Sequence, residues 1–125
     1  MRYTLLLHYP EMNSDELSPE AIADAMREFD VYAKALQAAG VLDTAEVLQP
    51  SQVTTTLTAP DGTLRVQDGP FADTKEQLGG TFVIEVADLD EAISWAGKAP
   101  SLAWGAIEIR PTAVRFVDGE WTASE

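Results

Sequence analysis

Apolar and polar positions follow two different rhythms along this chain, and the changes of rhythm mark its elements. Tyr3 to Tyr9 is a short apolar run closed by Pro10, the pattern of a strand buried on at least one face. Polar residues from Glu11 to Leu17 predict a loop. Ser18-Pro19-Glu20 reads as a helix start, because Ser caps free backbone amides, Pro suits the first helical position and Glu suits the positive end of the dipole. Ile22, Met26, Phe29, Tyr32 or Ala33, and Leu36 recur every three or four residues, which predicts one stripe turned to a core, and Gly40 ends the helix.

Val41 to Leu48, between Gly40 and Pro50, predicts the next strand. Val53 to Ala59 and Thr63 to Val66 flank Pro60-Asp61-Gly62 and predict a tight hairpin, since Asp-Gly supplies the positive φ such a turn needs. Gly80 to Val86 places Phe82, Ile84 and Val86 on one side and Thr81, Val83 and Glu85 on the other. Asp88 with Glu91 opens a second helix with a capping-box-like pair; Leu89, Ala92, Ile93 and Ala96 form its stripe, and Pro100 closes it. Ile107 and Ile109 alternate with Glu108 and Arg110 in a strand before Pro111, and Ala113 to Val117 adds a short last strand before a polar tail. The order predicts an α+β fold, a ferredoxin-like split β-α-β sheet with an inserted hairpin. Two helices cover one face of such a sheet, so the other is left to water, a ligand or a partner subunit, and a homodimer is expected.

Composition narrows the picture. The 125 residues fit a single domain spanning 1–125, and 46% hydrophobic with 23% charged residues excludes disorder. The absence of cysteine excludes disulfides, thiol catalysis and thiolate zinc sites. The apolar stretch at the start is far shorter than a signal-peptide core, and no run approaches about 18 apolar residues, so a cytoplasmic, non-membrane protein is expected. A net charge of −13 repels phosphate backbones and anionic lipid, so no nucleic-acid or membrane partner is expected. Glu11, Asp15, Glu16, Glu20, Asp24, Glu28 and Asp30 read as a solvated face.

His8 is the one histidine, and strand parity sets it with Thr4 and Leu6, opposite Leu5, Leu7 and Tyr9. If the latter set meets the helices, His8 points into the open cleft with Glu85, Glu108 and Arg110, where imidazole is suited to proton transfer near neutral pH. The other reading is a hydrogen-bonded strand-end residue without reactivity. In Asp68-Gly69-Pro70-Phe71 the structural reading is a turn: Asp bonds its own turn, Gly supplies unusual φ, Pro fixes the next residue and Phe71 anchors the loop in the core. The functional reading puts the Asp68 carboxylate at the cleft mouth, orienting His8 or accepting a substrate proton, with Lys75 as a nearby cation. One His with scattered carboxylates has no transition-metal spacing. Gly79-Gly80 lacks the rest of a phosphate loop, and no Gly-x-Ser-x-Gly elbow exists, so no metal or cofactor is expected. Trp95, Trp104 and Trp121 read as core, interface and tail anchors.

The stretch from Asp68 to Glu76, followed by Leu78-Gly79-Gly80, resembles the signature of the DGPF branch of the YCII-related family. So do the opening Met-x-Tyr-x-Leu-Leu-Leu strand, the long helix ending in Ala-Gly, Ile84-Glu85-Val86, the helix start at Asp88 and the closing Ile107-Glu108-Ile109-Arg110-Pro111. Where the family usually carries Glu, this chain has Asp73, one methylene shorter. The resemblance implies a ferredoxin-like fold of the dimeric α/β-barrel kind, with a cleft between paired sheets. It also implies two classes of function: a small lyase or isomerase with a His and Asp acid–base pair, here His8 and Asp68, or a non-catalytic dimeric module associated with sigma-factor systems. On the first, Phe71, Lys75, Glu85, Glu108 and Arg110 are the expected contacts of a small-molecule ligand.

Overall fold

The computed structural model describes residues 1–12 and 16–123. Asn13, Ser14 and Asp15, in the middle of the expected loop and acidic segment, lie outside the described residues. The elements in chain order are β1 (Arg2–Pro10), α1 (Pro19–Ala38), β2 (Leu42–Val47), β3 (Thr55–Thr58), β4 (Arg65–Asp68), β5 (Glu76–Glu85), α2 (Leu89–Ala96), β6 (Ala106–Pro111), β7 (Val114–Val117) and β8 (Glu120–Ala123), with short 3₁₀ turns at Ser51–Val53 and Pro100–Ala103.

β2, β5, β1 and β6 form one sheet in that spatial order, every neighbouring pair antiparallel. β5 therefore lies between β1 and β2, and β1 between β5 and β6, which is the interleaving of a split β-α-β arrangement. The α+β class expected from sequence is what the chain adopts, in an order compatible with a ferredoxin-like fold. Both helices pack on one face. Tyr3, Leu5 and Leu7 of β1, Phe82 and Ile84 of β5 and the following Val86 meet Tyr32 and Leu36 of α1 and Ala92 and Ala96 of α2 in one buried cluster. Enclosing each large aliphatic side chain there is worth about 1.5–3 kcal/mol.

The helix signals act as read. The Ser18 hydroxyl accepts from the Ala21 amide at 3.1 Å, with Pro19 in the first turn. The Asp88 carboxylate accepts from the Glu91 amide at 2.9 Å, while Glu91 reaches back to the Ala87 amide at 2.8 Å. The stripes are narrower than predicted. Ile22 and Met26 are exposed, so only the carboxyl half of α1, from half-buried Phe29 through Tyr32 to Leu36, carries its apolar face to the core. On α2 the small Ala92 and Ala96 are buried and Leu89 and Ile93 are not, which lets the helix approach the sheet closely.

Two of the three Asp-Gly pairs exchange roles. The hairpin predicted around Asp61-Gly62 exists, but its last register pair is Thr58 with Arg65, so the connection is a wide loop rather than a tight turn. Its first strand also begins later than predicted, after the 3₁₀ turn that includes Val53. The tight turn is at Asp118-Gly119, between the register pair Val117 and Glu120, with φ of 52° and 83° at its two central residues. What reads as a polar tail is thus strand β8, and Phe116 and Trp121 pack edge-on across the ribbon at 5.2 Å. No helix among the described residues is long and apolar enough to cross a membrane.

Candidate functional site

Parity in β1 decides which side chains reach the open face. Tyr3, Leu5 and Leu7 go to the helices, leaving Thr4, Leu6 and His8 on the other side, half-buried. Across β6, Leu6 pairs with Glu108 and His8 with Ala106, so Glu108 stands diagonal to His8 on the same face. His8 Nε2 lies 2.6 Å from Glu108 Oε1. Gly105 makes room for this: a Cβ there would run into the His8 carbonyl, so the chain enters β6 flush against the His8 backbone.

A bulge in β5 supplies the neighbour on the other side. Leu7 pairs with Gly80 but His8 pairs with Leu78, which leaves Gly79 as the extra residue. Leu78 and Glu76 thereby face the His8 side, although Phe82 and Ile84, of the same parity, face the helices. The Tyr9 ring lies against Gly79 where any side chain would collide. Burial, with the Glu11 carboxylate second, pushes the Tyr9 hydroxyl above its ordinary range, so it is a neutral donor at physiological pH.

His8 and Leu78 form one wall of an open groove of about 630 Å³. Leu48, Pro50 and Val53 from the segment after β2 and Pro70 and Phe71 from the loop after β4 supply apolar surface, with Thr54, Thr56 and Thr74 as hydroxyls. No Lys or Arg lines it, and Glu76 is its one acidic wall residue. Two ties hold the far wall. The Glu11 carboxylate accepts from the Ser51 amide at 2.7 Å and from the Ser51 hydroxyl. The Thr56 hydroxyl donates to the Gly69 carbonyl at 2.7 Å, while the Gly69 amide donates to the Thr54 carbonyl at 2.8 Å. Gly69 sits at φ +98°, a conformation other residues rarely adopt, so the turn reading of the motif glycine stands.

The expected site residues divide. His8 and Phe71 line the groove, and Glu108 bonds His8. Phe71 does not anchor the loop in the core; it is 83% exposed at the groove wall. Asp68 stands opposite Thr55 in the β3–β4 ribbon, whereas the groove is lined by Thr54 and Thr56. Alternation puts Asp68 on the other face, so the carboxylate beside His8 is Glu108 instead. Lys75 is exposed and outside the lining, although its neighbours Thr74 and Glu76 belong to it. Glu85 pairs with Arg2 and Arg110 with Thr4, toward the opposite end of the open face. Glu85 borders a second depression with Arg115 and the β7–β8 ribbon. Of the tryptophans, Trp95 packs against the core, Trp104 meets Tyr9 and Phe29 edge-on while remaining half-exposed, and Trp121 is exposed.

Sequence reasoning missed Glu11, taken for a solvated charge, and Leu78, placed before its strand. A carboxylate beside a proline-bounded strand end carried no signal of a bond to Ser51. The paired glycines after Leu78 were the available sign of a bulge. Among the described residues, no three His, Asp or Glu side chains are placed to hold a metal ion.

Sequence similarity to known proteins extends over nearly the whole chain. Residues 1–115 match the YCII-related domain. An uncharacterised protein of Rhizobium meliloti (strain 1021) is 34% identical over 116 residues, covering 91% of this chain and 94% of that protein. The chain belongs to the YCII-related family.

Proposed function

We propose that the chain is a small-molecule enzyme of the lyase or isomerase type, of the DGPF branch, with His8 as general base and acid and Glu108 as its orienting carboxylate. The observation that carries this reading is the 2.6 Å contact between His8 and Glu108 at the wall of an apolar groove. A carboxylate only accepts, so Nε2 carries a ring proton, and in the neutral ring Nδ1 keeps the lone pair. Nδ1 takes a proton from a carbon adjacent to a carbonyl. The imidazolium, held by Glu108, returns that proton to a neighbouring atom or to a leaving group. The same face carries half-buried Leu6 and Val83 without cover, which supports a homodimer. Sedimentation at micromolar concentration is expected to give twice the 13.5 kDa chain mass; a clean monomer counts against the dimer.

Incubation of the chain in D₂O with uncharged ketones and lactones tests the chemistry, read as deuterium incorporation by mass spectrometry. Exchange about 100-fold or more above buffer is expected, lost in His8→Asn and weakened in Glu108→Gln. Equal exchange in His8→Asn, or none in the native chain, overturns the acid–base reading. The exposed Phe71, with Leu57, Leu64 and Val66 exposed on and beside the same ribbon, favours the second reading in that event: a non-catalytic regulatory module, as an accessory to a sigma-factor system.

A further inference from the structure

We infer that the His8 groove selects an uncharged, largely apolar small molecule with one hydrogen-bonding group, and rejects carboxylates and phosphates; the inference rests on the small-molecule reading above and names its ligand class. Three observations carry it. The groove is built from Leu48, Val53, Pro70, Phe71 and Leu78, so most of the surface a ligand would cover is hydrocarbon or ring. Its polar groups sit at separate points: the His8 ring, the Glu76 carboxylate and the Gln49 and Thr54 side chains, while the Ser51, Thr56, Thr74 and Gln77 donors are already bonded within the protein. These serve one polar substituent and provide no cation.

The chain's cations are engaged or placed elsewhere. Arg2 pairs with Asp43, Arg27 with Asp24, Lys34 with Asp30 and Arg65 with Asp61, and Lys98 lies over the Trp95 ring at 4.7 Å. Arg110 is at the Thr4 position of the sheet and Arg115 borders the second depression. Lys75 is the cation nearest the lining in sequence, and it is exposed and outside that lining. With the His8 ring neutral, as a general base requires, an anion entering the groove would leave water without a countercharge, facing Glu76, with Glu108 behind His8, inside a chain of net charge −13. Removing an anion from water without such a partner is strongly unfavourable. An uncharged ligand avoids that cost and keeps the full benefit of the apolar walls.

Two fluorescent probes of similar ring size separate the alternatives: uncharged N-phenyl-1-naphthylamine and anionic 8-anilinonaphthalene-1-sulfonate, each titrated into the full chain at fixed ionic strength. The uncharged probe is expected to bind at least about tenfold more tightly. Phe71→Ser should weaken it about tenfold with the circular-dichroism melt unchanged, and Leu78→Lys should shift preference toward the sulfonate. Trp121→Ser, which removes an exposed ring outside the groove, should change neither probe.

Equal or tighter binding of the sulfonate, particularly if lost in Lys75→Ala, overturns the inference, as does absence of uncharged-probe binding. Loss in Trp121→Ser equal to that in Phe71→Ser also overturns it, since adhesion to exposed apolar surface would then explain the signal. The failures are separable. Tight uncharged-probe binding without deuterium exchange sinks the acid–base reading alone. His8-dependent exchange without probe preference sinks the ligand class alone.

Discussion

The two faces of the central sheet are made by the same strands and do different work. On the helix side, Leu5, Leu7 and Ile84 are fully enclosed, whereas their neighbours Thr4, Leu6 and Val83 on the opposite face are half-buried. Aromatic and aliphatic residues fill the first face. The second carries the His8–Glu108 contact, the Arg2–Asp43 pair and hydroxyls. The lesson is one of separation: a strand with period two can anchor a fold through one set of alternate positions while the other set remains available for chemistry.

The largest contrast is expected between adjacent leucines. Leu5→Ala should cost about 2–5 kcal/mol in chemical denaturation, because nothing adjacent can collapse into the space. Leu6→Ala should cost less than about 1 kcal/mol in dilute solution, since the side chain is already partly in water. If the Leu6 cost instead rises with protein concentration, the open face is covered by a second copy. Equal costs at every concentration would break the comparison.

Tyr32 extends it to pH. Its hydroxyl donates to the Trp95 carbonyl at 2.8 Å, and burial pushes its ionisation up to about 12. An unfolded tyrosine ionises near 10. The neutral phenol's contribution is therefore fully present below about 10 and is lost as pH rises through about 12. Tyr32→Phe should lose about 1 kcal/mol at neutral pH and show a shallower decline in stability between those values. Parallel alkaline profiles for the two proteins would show that Tyr32 does not set the decline.

The smallest effect is expected on the other face. Glu108→Gln should change stability by less than about 1 kcal/mol, because the pair is partly solvated, even where it damages proton transfer. A loss comparable to Leu5→Ala would mean the contact serves the fold, which would weaken its claim as chemistry.

Much of the sheet was legible because its signals are local. Ser18, Asp88 and the alternation of β1 and the carboxyl half of β5 depend on backbone periodicity and near neighbours. Parity grouped His8 with Thr4 and Leu6, and burial of Tyr3, Leu5 and Leu7 under the helices makes that face the open one. The partner of His8 was not legible in this way: Glu108 is 100 residues away, and only register distinguishes it from other carboxylates. Asp68 was attractive through its motif, but the predicted strand stops at Val66, whereas β4 runs on to Asp68, where pairing with Thr55 fixes the face of the carboxylate. Asp118-Gly119 was overlooked because the residues after it are mostly polar, although Trp121 lies among them.

The bulge at Gly79 gives β5 two reading frames. Even-numbered positions above it feed the core and even-numbered positions below it feed the groove, so the same kind of substitution has different consequences on either side. On the proposed function, changes at Glu76 or Leu78 retune ligand preference with little effect on folding, while changes at Phe82 or Ile84 disturb the core. Deleting Gly79 would remove the bulge yet leave Leu78 opposite His8 in a regular ladder, so that groove wall should outlast the residue that creates the two frames.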